Sequence, residues 1–96
     1  MAKYILLVNW TDQGVRNVKD SPKRLDAARK LAESAGAKMG DFYMTMGGYD
    51  MVTHLEAPDD ATVAKFVLNL ASAGNVRTHT LKAFSEDEYR KILAAV

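Results

Sequence analysis

The sequence contains no cysteine and only two prolines. Without cysteine the chain cannot form a disulfide bond, a thiolate metal site or a thiol nucleophile. Neither sign of charge dominates, because 13 basic and 12 acidic side chains give a formal net charge of +1. The apolar run over residues 4–8 is far too short to span a membrane. We therefore expect a soluble cytoplasmic protein that binds neither nucleic acid nor a membrane.

Motifs of the common enzyme classes are missing as well. No Gly-x-Ser-x-Gly nucleophile turn, phosphate-binding loop or dinucleotide fingerprint occurs. These absences exclude the usual hydrolase, kinase and dehydrogenase machinery, and we predict no cofactor. Whether the protein is an enzyme stays open at this point.

The chain is of single-domain size. Its 96 residues are 48% hydrophobic and 26% charged, which is an ordinary globular mixture. A chain of this length buries roughly 60–65% of the surface that its unfolded form exposes. We predict one domain over residues 1–96.

The alternation of apolar residues predicts four strands. The first, over residues 3–10, carries large apolar groups on both faces. Tyr4, Leu6, Val8 and Trp10 form one set, and Ile5 and Leu7 form the other. The remaining strands are predicted over residues 38–46, 49–56 and 76–84, and the glycine pair between the second and third predicts a tight hairpin turn.

Capping signals and helical spacing predict three helices. Ser21 is expected to be the N-cap of the first helix, and Gly36 ends that helix in a left-handed conformation. The second helix opens at residues 58–60 and ends at Gly74. The last opens with a capping box over residues 85–88.

The resulting order is β-α-β-β-α-β followed by a C-terminal helix. Because each β-α-β connection is right-handed, both crossover helices cover the same face of the sheet. We therefore predict an α+β, ferredoxin-like sandwich in which the first and third strands are central.

The sheet face away from these helices is expected to be apolar. Large groups of the first strand lie on it, and the neighbouring strands add either Phe42, Met44 and Met46, or Val52. Such a patch could exceed the few hundred Å² that monomers usually tolerate, and a dimer burying about 800 Å² per partner would remove it. We predict a homodimer or larger homo-oligomer. The alternative is that the last helix folds over this face and the chain stays monomeric.

Asp50 is the most suggestive polar residue, because it follows Gly48 and Tyr49 and opens a central strand. Its carboxylate could bind a ligand, or act as a base if burial raises its pKa. Alternatively, it accepts hydrogen bonds that fix the hairpin. The spacing alone leaves both interpretations open.

Five further residues are candidates for binding a small molecule, and Tyr49, which precedes Asp50 in the same turn, is one of them. Asn9, Trp10 and Tyr43 could line an apolar pocket with a polar rim, or pack in the core or a dimer interface. Arg77 could bind an anion, or form an interface ion pair. His54 and His79 are the only histidines. They lie on strands that another strand should separate, so we predict no metal site.

Several segments together resemble the GYD-domain family. The signature is Gly48-Tyr49-Asp50, and the similar segments are residues 4–14, 18–24, 56–60 and 74–78. The resemblance thus covers nearly the whole chain. At His54 and His79 the chain departs from the family pattern, so neither histidine is assigned a family role.

The resemblance implies a dimeric α/β barrel, in which two ferredoxin-like sheets pack face to face. It implies no general activity. A looser similarity exists to the ligand-sensing domain of leucine-responsive regulators, which pair a Gly-x-Tyr-Asp turn with a later Gly-Val-x-x-Thr strand. Fold-level similarity of this kind does not fix function.

Three hypotheses follow from the sequence. The first is a homo-oligomeric protein that binds a small metabolite in a cavity beside the sheet or between subunits. The second is a cofactor-independent oxygenase or isomerase that uses Asp50 as base and holds substrate with Asn9, Trp10 or Tyr43. The third is an assembly module in which the Gly-Tyr-Asp turn is purely structural.

Overall fold

The structure is a computed structural model that describes residues 1–96. Its strands are β1 (Ala2–Trp10), β2 (Lys38–Met44), β3 (Met51–Ala57) and β4 (Val76–Ala83). Its helices are α1 (Asp12–Arg16), α2 (Ser21–Ser34), α3 (Asp60–Ser72) and α4 (Glu86–Ala94), and a 3-10 turn at Val18–Asp20 precedes α2. None of the helices is long and apolar enough to cross a membrane.

The four strands form one antiparallel sheet in the order β2-β3-β1-β4. The central strands are β1 and β3, as the sequence predicts, and α2 and α3 are the crossover helices. This arrangement is the ferredoxin-like α+β fold. The predicted fold class is confirmed.

The core lies between the sheet and the helices α2 and α3. Successive side chains of a strand point to opposite faces, so every second residue of β1 and β3 is buried on this side, which we call the covered face. Phe66, Leu6 and Leu55 are the largest fully buried side chains. The other core residues are Tyr4, Val8, Ala32, Ala37, Met51, Ala57 and Val63.

Most helix ends follow their sequence signals. The side chain of Asp59 accepts a hydrogen bond from the Thr62 amide at 2.8 Å, and Ser85 with Glu88 forms the predicted capping box. Gly36 and Gly74 have φ values of +80° and +87°, a region in which a residue with a Cβ is strained.

The predicted N-cap at Ser21 is wrong by one residue. Asp20 occupies that position, Ser21 is the first residue of α2, and no side chain caps the helix. The reason is the 3-10 turn Val18–Asp20, which runs directly into α2. Asp20 is consequently in the αR region, whereas a capping side chain normally belongs to a residue with extended backbone.

The tight glycine hairpin is also wrong. β2 ends at Met44 and β3 begins at Met51, so the connection spans residues 45–50. Within this connection only Gly47 has a positive φ, of 126°. A two-residue turn of the predicted kind needs two residues with positive φ. The wider loop forms because Thr45 closes it: its amide donates to the Asp50 carbonyl at 2.8 Å, and its hydroxyl donates to the Tyr49 carbonyl at 2.6 Å.

The other side of the sheet, which we call the open face, has no helix packed on it within this chain. Val52 lies there, whereas Phe42 pairs with Thr53 and lies on the covered face. The large aliphatic residues of the open face are Ile5, Leu7, Val52 and Leu81. The helix α4 buries none of its residues, so it does not cover this face as the monomeric alternative requires.

Candidate functional site

The six candidate residues from the sequence lie on both faces of the sheet and in the loop before β3. Trp10 lies on the covered face, together with Leu6 and Val8. Asn9 is its neighbour in β1 and lies on the open face, directly opposite Arg77 of β4. The remaining candidates are Tyr43, which pairs with Val52 on the open face, and Tyr49 and Asp50 in the loop before β3.

Asp50 extends the pairing of β1 with β3 beyond the end of the regular ladder. Its carboxylate Oδ2 accepts a hydrogen bond from the Trp10 amide at 2.9 Å. Its own amide donates to the Val8 carbonyl at 3.0 Å and to Asn9 Oδ1 at 3.2 Å. The geometry of Asp50 is thus that of a residue fixing the loop to β1.

Tyr49 connects the same loop to the open face. Its ring meets the imidazole of His79 edge to face, with centroids 5.5 Å apart. His54 lies on β3 and His79 on β4, and β1 runs between them as predicted. No group of three or more His, Cys, Asp or Glu side chains is arranged to hold a metal ion.

A cavity of about 240 Å³ lies on the covered face, between the sheet, α2 and α3. Its wall is predominantly apolar, and its polar residues are Ser21, Arg24, Thr53, Asn69 and Asn75. Apolar walls with a few polar groups are typical of small-molecule sites. Of the six sequence candidates, only Trp10 lines this cavity.

The indole of Trp10 is the unusual group of the cavity wall. Its Nε1–H is buried and has no hydrogen-bond partner. Leaving a buried donor unpaired costs about 1–3 kcal/mol, so such groups are rare in folded proteins. Because the nitrogen is inaccessible even to a water-sized molecule, a ligand in the cavity would satisfy this donor only after the indole ring turns.

One end of the cavity is built by the contact between the segment after β1 and the turn before β4. The Thr11 amide donates to the Asn75 carbonyl at 3.0 Å, and the Thr11 hydroxyl donates to the Gly74 carbonyl at 2.5 Å. Gly14 allows this approach, because a Cβ on Gly14 would lie 2.0 Å from the Asn75 carbonyl oxygen. We call this end, where Trp10, Arg24 and Asn75 lie, the polar end.

Sequence reasoning missed Arg24 and Asn75. Arg24 donates from Nη1 to the Asn17 carbonyl at 3.0 Å and from Nη2 to the Gly14 carbonyl at 3.4 Å. Asn75 accepts a hydrogen bond at Oδ1 from Gln13 Nε2 at 3.0 Å. Both lie in segments that resemble the GYD family, which is the one signal in the sequence that marks them.

Thr53 is a polar wall residue that is already satisfied. Its hydroxyl donates to the Asp41 carbonyl at 2.9 Å, where the register of β2 shifts between Met39 and Phe42. Arg29 supports the same irregularity, donating to the Gly40 carbonyl at 3.2 Å. The Thr53 hydroxyl therefore stabilises the edge strand β2 at its irregular position.

The groups with shifted pKa values lie away from the cavity. The hydrogen bond to Asp60 raises the pKa of the buried Tyr4 phenol to about 12. A hydrogen bond from Lys3 Nζ, at 2.6 Å, lowers the pKa of Glu56. Neither these residues nor any other carboxylate, histidine or tyrosine lines the cavity wall. The cavity is therefore equipped for binding and carries no usual acid or base.

Fold and cavity define a class: small ferredoxin-like chains with a ligand-sized cavity between sheet and helices. The GYD domain family matches residues 4–93, which is nearly the whole chain. This chain belongs to the GYD domain family, as its sequence predicts. A relative from Thermus thermophilus, 38% identical over 84 residues, covers 86% of this chain and 88% of its own. That protein is named glutamine synthetase and cystathionine beta-lyase binding protein.

Two solved structures share the fold at low sequence identity. The protein MtbAldR is 17% identical with a TM-score of 0.68, and covers 88% of this chain. A feast or famine regulatory protein from M. tuberculosis, complexed with L-methionine, is 14% identical with a TM-score of 0.67 and the same coverage. The present chain spans only 54% and 51% of their lengths, respectively. These similarities show the fold alone.

Proposed function

We propose that this protein is a self-associating module that binds a small metabolite in the cavity between the sheet and the helices α2 and α3. The observation that carries the proposal is the cavity of about 240 Å³ itself, with its apolar wall and few polar side chains. A bound ligand fills a space that the chain's own side chains leave empty.

The size of the cavity sets the size of the ligand. One water occupies about 30 Å³ in the liquid, so 240 Å³ accommodates roughly eight non-hydrogen atoms. The predominantly apolar wall favours a compact ligand with an apolar body.

Self-association rests on the open face. Ile5, Leu7, Val52 and Leu81 lie there without a helix from the same chain over them. A second copy packed on this face would remove the apolar surface from water. The assignments of a single domain over residues 1–96 and of a cytoplasmic location stay predictions.

The proposal is tested by native mass spectrometry combined with fluorescence. Trp10 is the only tryptophan, so its emission reports directly on the cavity. We expect a dimer or larger species, and saturable changes in Trp10 emission with small apolar compounds such as hexanol. A monomer would refute self-association, and unchanged emission together with an unchanged Tm for all compounds would refute the cavity as a binding site.

A matched pair of variants separates binding in the cavity from binding elsewhere. Ala28 is buried in the cavity wall, so Ala28→Leu fills the space and should abolish binding. Ala64 lies exposed on α3 away from the cavity, and Ala64→Leu should bind like the parent protein. Equal binding by both variants would place the ligand outside the cavity.

A second candidate function is binding of another protein. The relative from Thermus thermophilus is named for two enzymes that it binds, and it shares 38% identity with this chain. The open face and the exposed helix α4 offer the surface for such a partner. The test is surface plasmon resonance with purified glutamine synthetase, comparing the parent protein with Leu81→Glu. No binding at micromolar concentrations would reject this candidate.

A further inference from the structure

We propose that the cavity takes a monocarboxylate with an apolar tail, bound with its carboxylate at the polar end, and discriminates against amines and amino acids. This inference rests on the proposed small-molecule binding and assigns the ligand class.

The free hydrogen-bonding groups of the polar end are donors. The indole N–H of Trp10 can only donate, and it becomes available to a ligand when the ring turns toward the cavity. Arg24 uses Nη1 and Nη2 on the backbone carbonyls of Asn17 and Gly14, and the remainder of its five N–H groups stays free. Asn75 accepts at Oδ1 from Gln13, which leaves its amide N–H groups for a ligand. A carboxylate is the group that accepts hydrogen bonds from several donors at once.

These three residues converge because the surrounding segments are fixed to one another. Trp10 pairs with Val76, the residue after Asn75. Arg24 donates to the Gly14 carbonyl, and Gly14 packs against the backbone of Asn75. The donors therefore share one end of the cavity. The opposite end is lined by Leu31, Met39 and Phe42, which suit an alkyl or aryl tail.

The only charge in the cavity wall is positive. Arg24 is the only charged residue that lines the cavity, and no aspartate or glutamate does. An ammonium group in this space would be desolvated without an anionic partner, which is costly. An amino acid carries such a group beside its carboxylate, so its ammonium opposes the binding that its carboxylate favours.

A set of four probes of nearly equal size tests the class. All four compounds carry an alkyl tail and differ in the head group. Hexanoate is negative, hexanamide is neutral, hexylamine is positive and L-norleucine is zwitterionic. Titration of Trp10 fluorescence and isothermal calorimetry should give hexanoate a Kd at least about tenfold lower than hexanamide, because charge-assisted hydrogen bonds are the stronger ones. Hexylamine and L-norleucine should bind more weakly than hexanamide.

Two arginines of α2 provide a matched control. Arg24→Gln should raise the Kd of hexanoate about tenfold and leave hexanamide nearly unchanged. Arg29 is likewise half-buried and bonded to backbone carbonyls, but it does not line the cavity. Arg29→Gln should keep the preference for hexanoate. Trp10→Phe, followed by calorimetry, should weaken hexanoate and hexanamide together, because both offer an acceptor to the indole. Since the two arginine variants are judged by the ratio of two ligands, a loss of stability does not mimic their effect.

The outcomes separate this inference from the proposed function. If hexanamide or L-norleucine binds as tightly as hexanoate, and Ala28→Leu abolishes that binding, the carboxylate class is wrong and the cavity remains a binding site. If no probe binds the parent protein, the ligand class and the proposed function fail together. Equal loss of hexanoate binding in Arg24→Gln and Arg29→Gln would overturn the role of Arg24.

Discussion

The covered and open faces of the sheet are built from alternate residues of the same strands, yet they are completed differently. On the covered face, Leu6 and Leu55 are almost wholly buried by helices of the same chain. On the open face, Ile5 and Leu7 are only half-buried, and Leu81 is 48% exposed. Folding of a single chain therefore buries the apolar side chains of one face of the sheet only. The covered face holds the cavity, and the open face is where we propose that a second copy packs.

The largest expected loss of stability is that of Gly14→Ala, which disrupts the backbone contact at the polar end of the cavity. A Cβ at this position would clash with the Asn75 carbonyl oxygen, and neither backbone segment can move without breaking hydrogen bonds of Thr11. We expect a loss of about 4 kcal/mol in the free energy of unfolding, measured by urea denaturation. The control is Gly48→Ala, because nothing lies within 4 Å of a Cβ there. A cost below about 1 kcal/mol for Gly14→Ala would contradict the close approach.

The next prediction compares two neighbouring leucines, Leu6 on the covered face and Leu7 on the open face. Leu6→Ala should cost about 3 kcal/mol at every protein concentration, because its partners belong to the same chain. Leu7→Ala should cost about 1 kcal/mol in the isolated chain, with a larger cost as concentration rises and the open face is buried by a second copy. Thermal unfolding over a range of concentrations measures both. If the effect of Leu7→Ala does not vary with concentration, the open face is not the surface of association.

Asp50 lies where the two faces meet the loop, and its substitution should have an intermediate effect. Asp50→Ala removes the acceptor of the Trp10 amide and should cost about 2 kcal/mol. Asp50→Asn keeps an acceptor oxygen and should cost about 1 kcal/mol. Urea denaturation separates the two values. Should both variants be as stable as the parent protein while hexanoate binding is lost, Asp50 would be a ligand residue.

The smallest effect concerns Tyr4 and appears only in alkali. The hydrogen bond to Asp60 raises the pKa of the folded-state phenol to about 12, whereas the phenol of the unfolded chain titrates near 10. Between these values the unfolded chain has released a proton that the folded chain retains, so stability falls as pH rises from about 10 to 12. Tyr4→Phe lacks this titration and should show a shallower decline over that range. Identical slopes of Tm against pH would disprove the assignment.

The fold was predictable because its signals are local. Alternation along β1, the helix-ending glycines and the Ser85 capping box each depend on a few neighbouring residues, and the structure confirms them. The errors arose where an adjoining element decides the outcome. The 3-10 turn displaces the N-cap from Ser21 to Asp20, and Thr45 widens the predicted hairpin.

The site was only partly predictable. Asn9 and Trp10 are adjacent in a strand and so must face opposite sides, which already excludes a single pocket lined by both. Trp10 was identified from its type alone. Arg24 and Asn75 were missed because they come together only through contacts between α2, the segment after β1 and the turn before β4. Contacts of this kind, between segments far apart in the sequence, leave no residue spacing by which they could be predicted.

The main-chain amide of Trp10 is bonded to Asp50, while its indole lines the cavity. Tyr49, the residue before Asp50, touches His79 on the opposite side of the sheet. If a ligand displaces the Trp10 side chain, the contacts of Asp50 and Tyr49 connect that displacement to the open face. Under the proposed function, oligomer stability and ligand affinity are therefore expected to be linked quantities, and each ought to be measured while the other is varied.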